Sequence, residues 1–144
     1  MISSSVPSPT SKPNEVRLLL VEDHASLAEA TAEFLREAGL DVQIASTGKS
    51  ALQAINAFRP EIVLCDLHLP DMSGLDVARA LRASIDTKQP IFAMHTSVGD
   101  ADITQLELEF NRFGVNLFLP KPLTEQKLDR LLAECTMHRA LRPV

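Results

Sequence analysis

Four stretches of this 144-residue chain set chemistry-bearing side chains directly after apolar runs. Glu22-Asp23 follow residues 16–21, Asp66 follows 62–65, His95-Thr96-Ser97 follow 91–94, and Lys121 stands between two prolines after 115–119. Two carboxylates about 5 Å apart repel by roughly 3 kcal/mol at an effective dielectric near 20, so three brought together call for a cation. All-oxygen donors select a hard ion such as Mg²⁺, which keeps waters and leaves room for phosphate oxygens. Lys121 adds a point charge and Thr96 a hydroxyl donor, both suited to a phosphoryl group. The phosphate-cradling patterns G-x-G-x-x-G and G-x-x-x-x-G-K-[ST] are absent. That favours a covalently held phosphoryl group over a bound nucleotide, and aspartate is a competent acceptor. Clustered carboxylates should also cost stability that a bound cation recovers. Mg²⁺ is therefore expected to raise the melting temperature, and Asp66→Asn to be more stable than wild type without metal.

Positioning these residues on one edge requires strands that end together. From residue 16 the pattern alternates short β-rich runs with helical periodicity, five times over. The runs 16–21, 42–45, 62–65, 91–94 and 115–119 read as strands. Between and after them, apolar residues recur at helical spacing: Leu27, Phe34 and Leu35; Ala51, Leu52, Ile55 and Phe58; Leu75, Ala78 and Leu81; Ile103, Leu106, Phe110 and Phe113; Leu128, Leu131, Leu132 and Cys135. Ser46 or Thr47 can cap the second helix, and Gly39 and Gly114 supply left-handed stops. Strict strand-helix alternation implies parallel pairing through right-handed crossovers. The expected fold is an α/β domain over residues 15–140, a five-stranded parallel doubly wound sheet with helices on both faces. Such sheets bind ligands beyond the carboxyl ends of their strands, where all four charged stretches fall.

Composition narrows the classes further. The chain is 45% hydrophobic and 23% charged with a net charge of −5, which argues against the basic face that direct nucleic-acid binding needs. No apolar run approaches a membrane span. Residues 1–14, rich in Ser and Pro, read as a disordered leader without a signal-peptide core. Cys65 and Cys135 lack metal-site spacing and read as small buried hydrophobes, in keeping with a cytoplasmic location.

On these residues the chain resembles a response-regulator receiver domain of two-component signalling, a flavodoxin-like fold. The acidic pair matches Glu22-Asp23, the phosphoacceptor Asp66, the loop pattern D-x-x-x-P-x-x-x-G Asp66, Pro70 and Gly74, and the lysine-proline pair Lys121-Pro122. The resemblance implies that Asp66 accepts a phosphoryl group from a histidine kinase or histidine phosphotransfer protein in a phosphorelay. It implies Mg²⁺ bound by Asp23, Asp66 and the backbone carbonyl of His68, with Glu22 acting through water. Lys121 then contacts the phosphoryl oxygens, a Ser or Thr after the fourth strand bonds another, and Phe118 is the aromatic that moves with that hydroxyl. The resemblance further implies a domain that catalyses its own phosphotransfer and slow autodephosphorylation, with no turnover of external substrates. The face made by the fourth helix, fifth strand and fifth helix controls an output partner or effector domain and offers a homodimer surface.

The fourth segment departs from the family pattern. Counting from Pro90 puts His95 at the switch position, whereas the chemistry favours Thr96, with Ser97 as the small neighbour. Because sides alternate along a strand, His95 and Thr96 cannot both face the site. The span from Thr96 to Lys121 is longer than usual, so an extended or irregular fourth helix is expected. His24, His68 and His95 all follow strand ends and could join the acids around a transition metal; the reading adopted is of solvated loop residues. An aspartyl-phosphate phosphatase of related fold is disfavoured because His68 stands where its general acid belongs. The remaining alternative is a non-phosphorylated docking or dimerisation module of the same fold.

Overall fold

The computed structural model describes residues 15–84, 89–99 and 102–141. The Ser/Pro-rich segment 1–14, expected as a leader, lies outside them. Strands and helices alternate throughout: β1 (Arg17–Val21), α1 (Ala25–Glu37), β2 (Asp41–Ala45), α2 (Gly48–Phe58), β3 (Ile62–Cys65), α3 (Gly74–Ala83), β4 (Ile91–Met94), α4 (Ile103–Asn111), β5 (Leu117–Phe118) and α5 (Glu125–Leu141). All pairings are parallel, in the order β2-β1-β3-β4-β5. This is the doubly wound sheet expected from the alternation.

β3 and β4 are buried at every position and β1 at all but its first, as a parallel sheet covered on both faces demands. The period-two alternation divides the core into two layers. Leu18, Leu20, Ile62, Leu64, Ile91 and Ala93 pack against α1 and α5. Leu19, Val21, Val63, Cys65, Phe92 and Met94 face α2, α3 and α4. Both cysteines are buried and free.

Helix ends follow local chemistry. Thr47 and Ser50 form a reciprocal capping box at the start of α2, and Ser73 and Asp76 do so for α3. Gly39 and Gly114 adopt positive φ just past α1 and α4, as the sequence pattern predicts. α4 is not extended: it spans nine residues, capped by Asp102. The additional residues therefore precede it, in a loop whose residues 100 and 101 lie outside the described set.

β5 is shorter than the expected 115–119. Its backbone hydrogen bonding with β4 nevertheless runs on past the strand. The Asn116 side chain accepts from the Phe92 N–H (2.8 Å), Leu119 N–H donates to Met94 O and Lys121 N–H donates to Thr96 O. That rhythm turns the N–H of Phe118 outward, towards the open edge of the sheet. Pro120 is the next outward position, and it has no N–H to leave unpaired.

Candidate functional site

The sheet's hydrogen bonding continues one residue beyond β1 and β3 and three beyond the edge strand β5, and the charged residues sit on these continuations. Glu22 N–H donates to Ala45 O, Asp66 N–H to Val21 O, and Lys121 N–H to Thr96 O, all at 2.9–3.0 Å. Each functional side chain is thus carried by a backbone already held by its neighbour. Asp66 and Glu22 are almost fully buried, and Asp23 is exposed.

The loop after Asp66 is held at three points. His68 N–H donates to Asp66 Oδ1 at 3.1 Å. Gly74 N–H donates to Leu67 O at 2.8 Å. A Cβ on Gly74 would lie 2.4 Å from the Asp66 carbonyl oxygen, so only glycine lets α3 start this close to the acceptor strand. Asp71 ties the loop to α2 by accepting from the N–H groups of Gly48 (2.8 Å) and Lys49 (2.9 Å). Two orphan donors at a helix start are thereby satisfied.

Opposite the acids, Lys121 Nζ lies 2.5 Å from Glu22 Oε1 and 2.7 Å from Asp66 Oδ2. The Thr96 hydroxyl lies on the same side and helps hold the Asp66 charge. Burial works against the Asp66 charge, but the bonds from Lys121, His68 N–H and Thr96 outweigh it and hold the carboxyl below its usual pKa. Burial likewise opposes the Lys121 charge, and its bonds to Asp66 and Glu22 override that, raising its pKa. This reverses the stability expected of Asp66→Asn without metal. Because Lys121 pairs directly with Asp66, the charge on that residue supports the fold, so the asparagine variant should be no more stable.

The carboxylate oxygens of Glu22, Asp23 and Asp66 converge to within 4.8 Å of one another. Three carboxylates against one ammonium leave a charge deficit that a divalent cation matches, and the donors are all oxygen, as a hard ion requires. The residues present fit Mg²⁺. The histidines do not join them: among the described residues the metal-competent cluster holds carboxylates alone. His24 caps α1, its Nδ1 accepting from Leu27 N–H (3.3 Å), and His68 is exposed.

His95 is not the solvated loop residue expected. It is only 3% exposed, and burial, then the nearby Lys121 charge, pushes its pKa down to about 4. It continues the odd-numbered face of β4 towards α1 and α5, whereas Thr96 is on the side of Asp66 and contributes to its lowered pKa. Phe118 is fully buried and packs edge-on against Phe110 of α4, with centroids 5.5 Å apart at 62°. Cys65, next to Asp66, is inert as a nucleophile, since burial and the two adjacent carboxylates push its thiol up.

Some supporting residues escaped the sequence reading. Asp71 lies within the recognised loop, but its partners are 22 and 23 residues away, and no spacing rule links them. Glu107 accepts from the outward Phe118 N–H (3.1 Å) and from Arg130 of α5 (2.5 Å), a junction equally invisible to local pattern.

The family model for the response regulator receiver domain matches residues 18–133. The DNA-binding response regulator MtrA of Mycolicibacterium paratuberculosis is 39% identical over 116 residues, covering 80% of this chain and 51% of that protein. The luminescence regulatory protein LuxO of Vibrio campbellii is 37% identical over 123 residues, covering 85% of this chain and 25% of that one. The chain thus spans about half of the first relative's length and a quarter of the second's. Among solved structures, a response regulator from Chloroflexus aurantiacus superposes with a TM-score of 0.75 at 30% identity, covering 86% of this chain and 99% of its own. A CheY-like receiver domain from Methylobacillus flagellatus gives 0.72 at 28%, covering 85% and 99%.

Proposed function

The chain belongs to the response regulator receiver domain family, and on that premise we propose that Asp66 is its phosphoacceptor. Domains of this family are signalling modules of two-component systems. The observation that carries the proposal is the contact of Lys121 with both Glu22 and Asp66 at the strand ends, with Asp23 alongside.

An Asp66 carboxylate oxygen attacks the phosphorus of a phosphohistidine on a histidine kinase or phosphotransfer protein. The new O–P bond forms as the P–N bond breaks, and its electron pair stays with the donor imidazole, which then takes a proton. The depressed Asp66 pKa keeps that oxygen ionised and nucleophilic at neutral pH. Asp23, Asp66 and the backbone carbonyl of His68 would hold Mg²⁺, with Glu22 acting through water. The ion supplies charge neutralisation for the incoming phosphoryl oxygens. Lys121 is freed from Asp66 to pair with one oxygen, and the Thr96 hydroxyl turns from the carboxylate to another. That turn relieves or imposes packing on Phe118 and reaches the α4–β5–α5 face, where an output partner or a second copy reads it.

Mass spectrometry after incubation with acetyl phosphate and Mg²⁺ should show one added phosphoryl group, absent in Asp66→Asn. Labelling of Asp66→Asn equal to wild type would remove Asp66 from the role. An unlabelled wild type would favour a docking module of the same fold. Among the described residues, no helix is long and apolar enough to cross a membrane.

A further inference from the structure

Lys121 stands between two prolines, which leaves the backbone around it short of hydrogen-bonding groups. Neither Pro120 nor Pro122 has an N–H, so residues 120–122 offer one donor and three carbonyls. The donor, Lys121 N–H, is held by Thr96 O at 3.0 Å. Two of the carbonyls are taken by a single side chain: Lys127 Nζ donates to Pro120 O at 2.8 Å and to Pro122 O at 2.9 Å. Lys127 therefore straddles Lys121, the residue whose ammonium reaches Glu22 and Asp66. Its own place in the chain runs against local preference. Lys127 is the third residue of α5, and its N–H donates to Thr124 Oγ1 (3.3 Å). The first turn of a helix disfavours a cation, and a capped start commonly carries Glu or Gln at this position. Among the described residues Lys127 has no carboxylate within ion-pair distance. The two carbonyls account for a lysine that neither the helix dipole nor an acid holds there.

We propose that Lys127 is a positioning residue for the phosphoryl contact: by gripping the chain one residue before and one residue after Lys121, it sets the direction in which the Lys121 side chain leaves the backbone. A lysine ammonium sits on a flexible four-carbon stem, so it lands between two particular carboxylates only from a fixed root. Pro120 O, Lys121 N–H and Pro122 O, held on three consecutive residues, supply that root. The stem can then swing from Asp66 to an incoming oxygen while its base stays in place. Lys127 Nζ is bonded to the loop and not to the acids, so it acts through Lys121. The role rests on the reading of Asp66 as phosphoacceptor, which gives Lys121 a second anion to meet.

The test is a double-mutant cycle on the full chain with Lys127→Met and Lys121→Met, read in two ways. One is the rate of phosphorylation by acetyl phosphate with Mg²⁺, followed by mass spectrometry; the other is the melting temperature without a phosphodonor. Lys127 is half-buried and methionine keeps its apolar stem, so the fold stands. Lys127→Met should be phosphorylated about tenfold more slowly than wild type, within the roughly hundredfold loss that a displacement of about 1 Å can cause. In the Lys121→Met background the same change should slow the rate less than about twofold, because no ammonium is left to aim. Thr124→Ala, which loosens the start of α5 without touching the two carbonyls, should keep the wild-type rate. An unchanged rate in Lys127→Met, the same loss in both backgrounds, or equal slowing in Thr124→Ala would overturn the proposal. A wild type that takes no label would remove the phosphoacceptor reading instead. In that case, or if Lys121→Met is too slow to follow, the melting temperatures decide whether Lys127 places Lys121. Lys127→Met should then lower the melting temperature less in the Lys121→Met background than in wild type, and an equal lowering would overturn the proposal.

Discussion

On the β1–β3 side of the charged edge, Glu22 follows β1, which pairs with β2 over five residues and with β3, the strand before Asp66, over four. On the β4–β5 side, Lys121 follows a strand paired over only two. There side chains take over the work of the ladder. Asn116 bonds the Phe92 N–H. Arg82 of α3 reaches the carbonyls of Gly114 (3.0 Å) and Pro90 (2.8 Å) and the Asn116 amide oxygen (2.9 Å). Glu107 covers the Phe118 N–H. The strands before Glu22, Asp66 and Thr96 are fixed by backbone ladders, and β5, before Lys121, largely by side-chain ties that can be exchanged one at a time.

The comparison can be broken most severely at Gly74. Gly74→Ala forces a methyl group against the Asp66 carbonyl, a backbone clash at the upper end of overpacking costs, about 3 kcal/mol or more. Urea unfolding should show that loss, and a variant as stable as wild type would mean that the β3–α3 loop is not rigid after all.

A second effect, nearly as large, belongs to the β4 side. The folded-state pKa of His95 lies near 4, below its unfolded value of 6.5, so between these values the unfolded chain binds more protons. Its contribution is intact above pH 6.5 and is lost as pH falls towards 4, up to about 3 kcal/mol over the full shift. Stability measured across that window should fall in wild type and fall less in His95→Phe. Equal slopes would place the His95 ring in contact with water.

The smallest effect sharpens the contrast. Glu107→Ala removes the acceptor for the Phe118 N–H and the partner of Arg130, at a cost of about 1 kcal/mol because the carboxylate is partly solvated. Amide exchange should quicken at Phe118 and stay unchanged at Asp66. Matching acceleration at both would show that the two halves move as one.

The sequence made the first half of the site legible and blurred the second, for physical reasons. Apolar runs, glycine stops and a proline-glycine loop are local signals, and they locate Glu22, Asp23, Asp66 and Gly74 directly. Lys121 is marked by its flanking prolines. His95 misleads because polar residues after a strand are usually solvated, and its burial depends on α1 and the loop before α5, far away in the chain. β5 reads as five residues because four of residues 115–119 are apolar, while the pairing that defines a strand begins only after Asn116, whose side chain substitutes for backbone. Arg82, Asp71 and Glu107 act across 8 to 34 residues, beyond the reach of any periodicity.

The outer edge of β5 has one further consequence. An exposed strand edge with free donors is a template on which another chain can continue the sheet, the first step of fibrillar growth. Here the outward donor at Phe118 is occupied by Glu107, and at position 120 proline has none to give. Another polypeptide meeting this margin finds no vacant N–H at either position to start a sixth strand. Association at this edge is thereby steered to side chains and helix surfaces, which can be released, rather than to a growing sheet, which cannot.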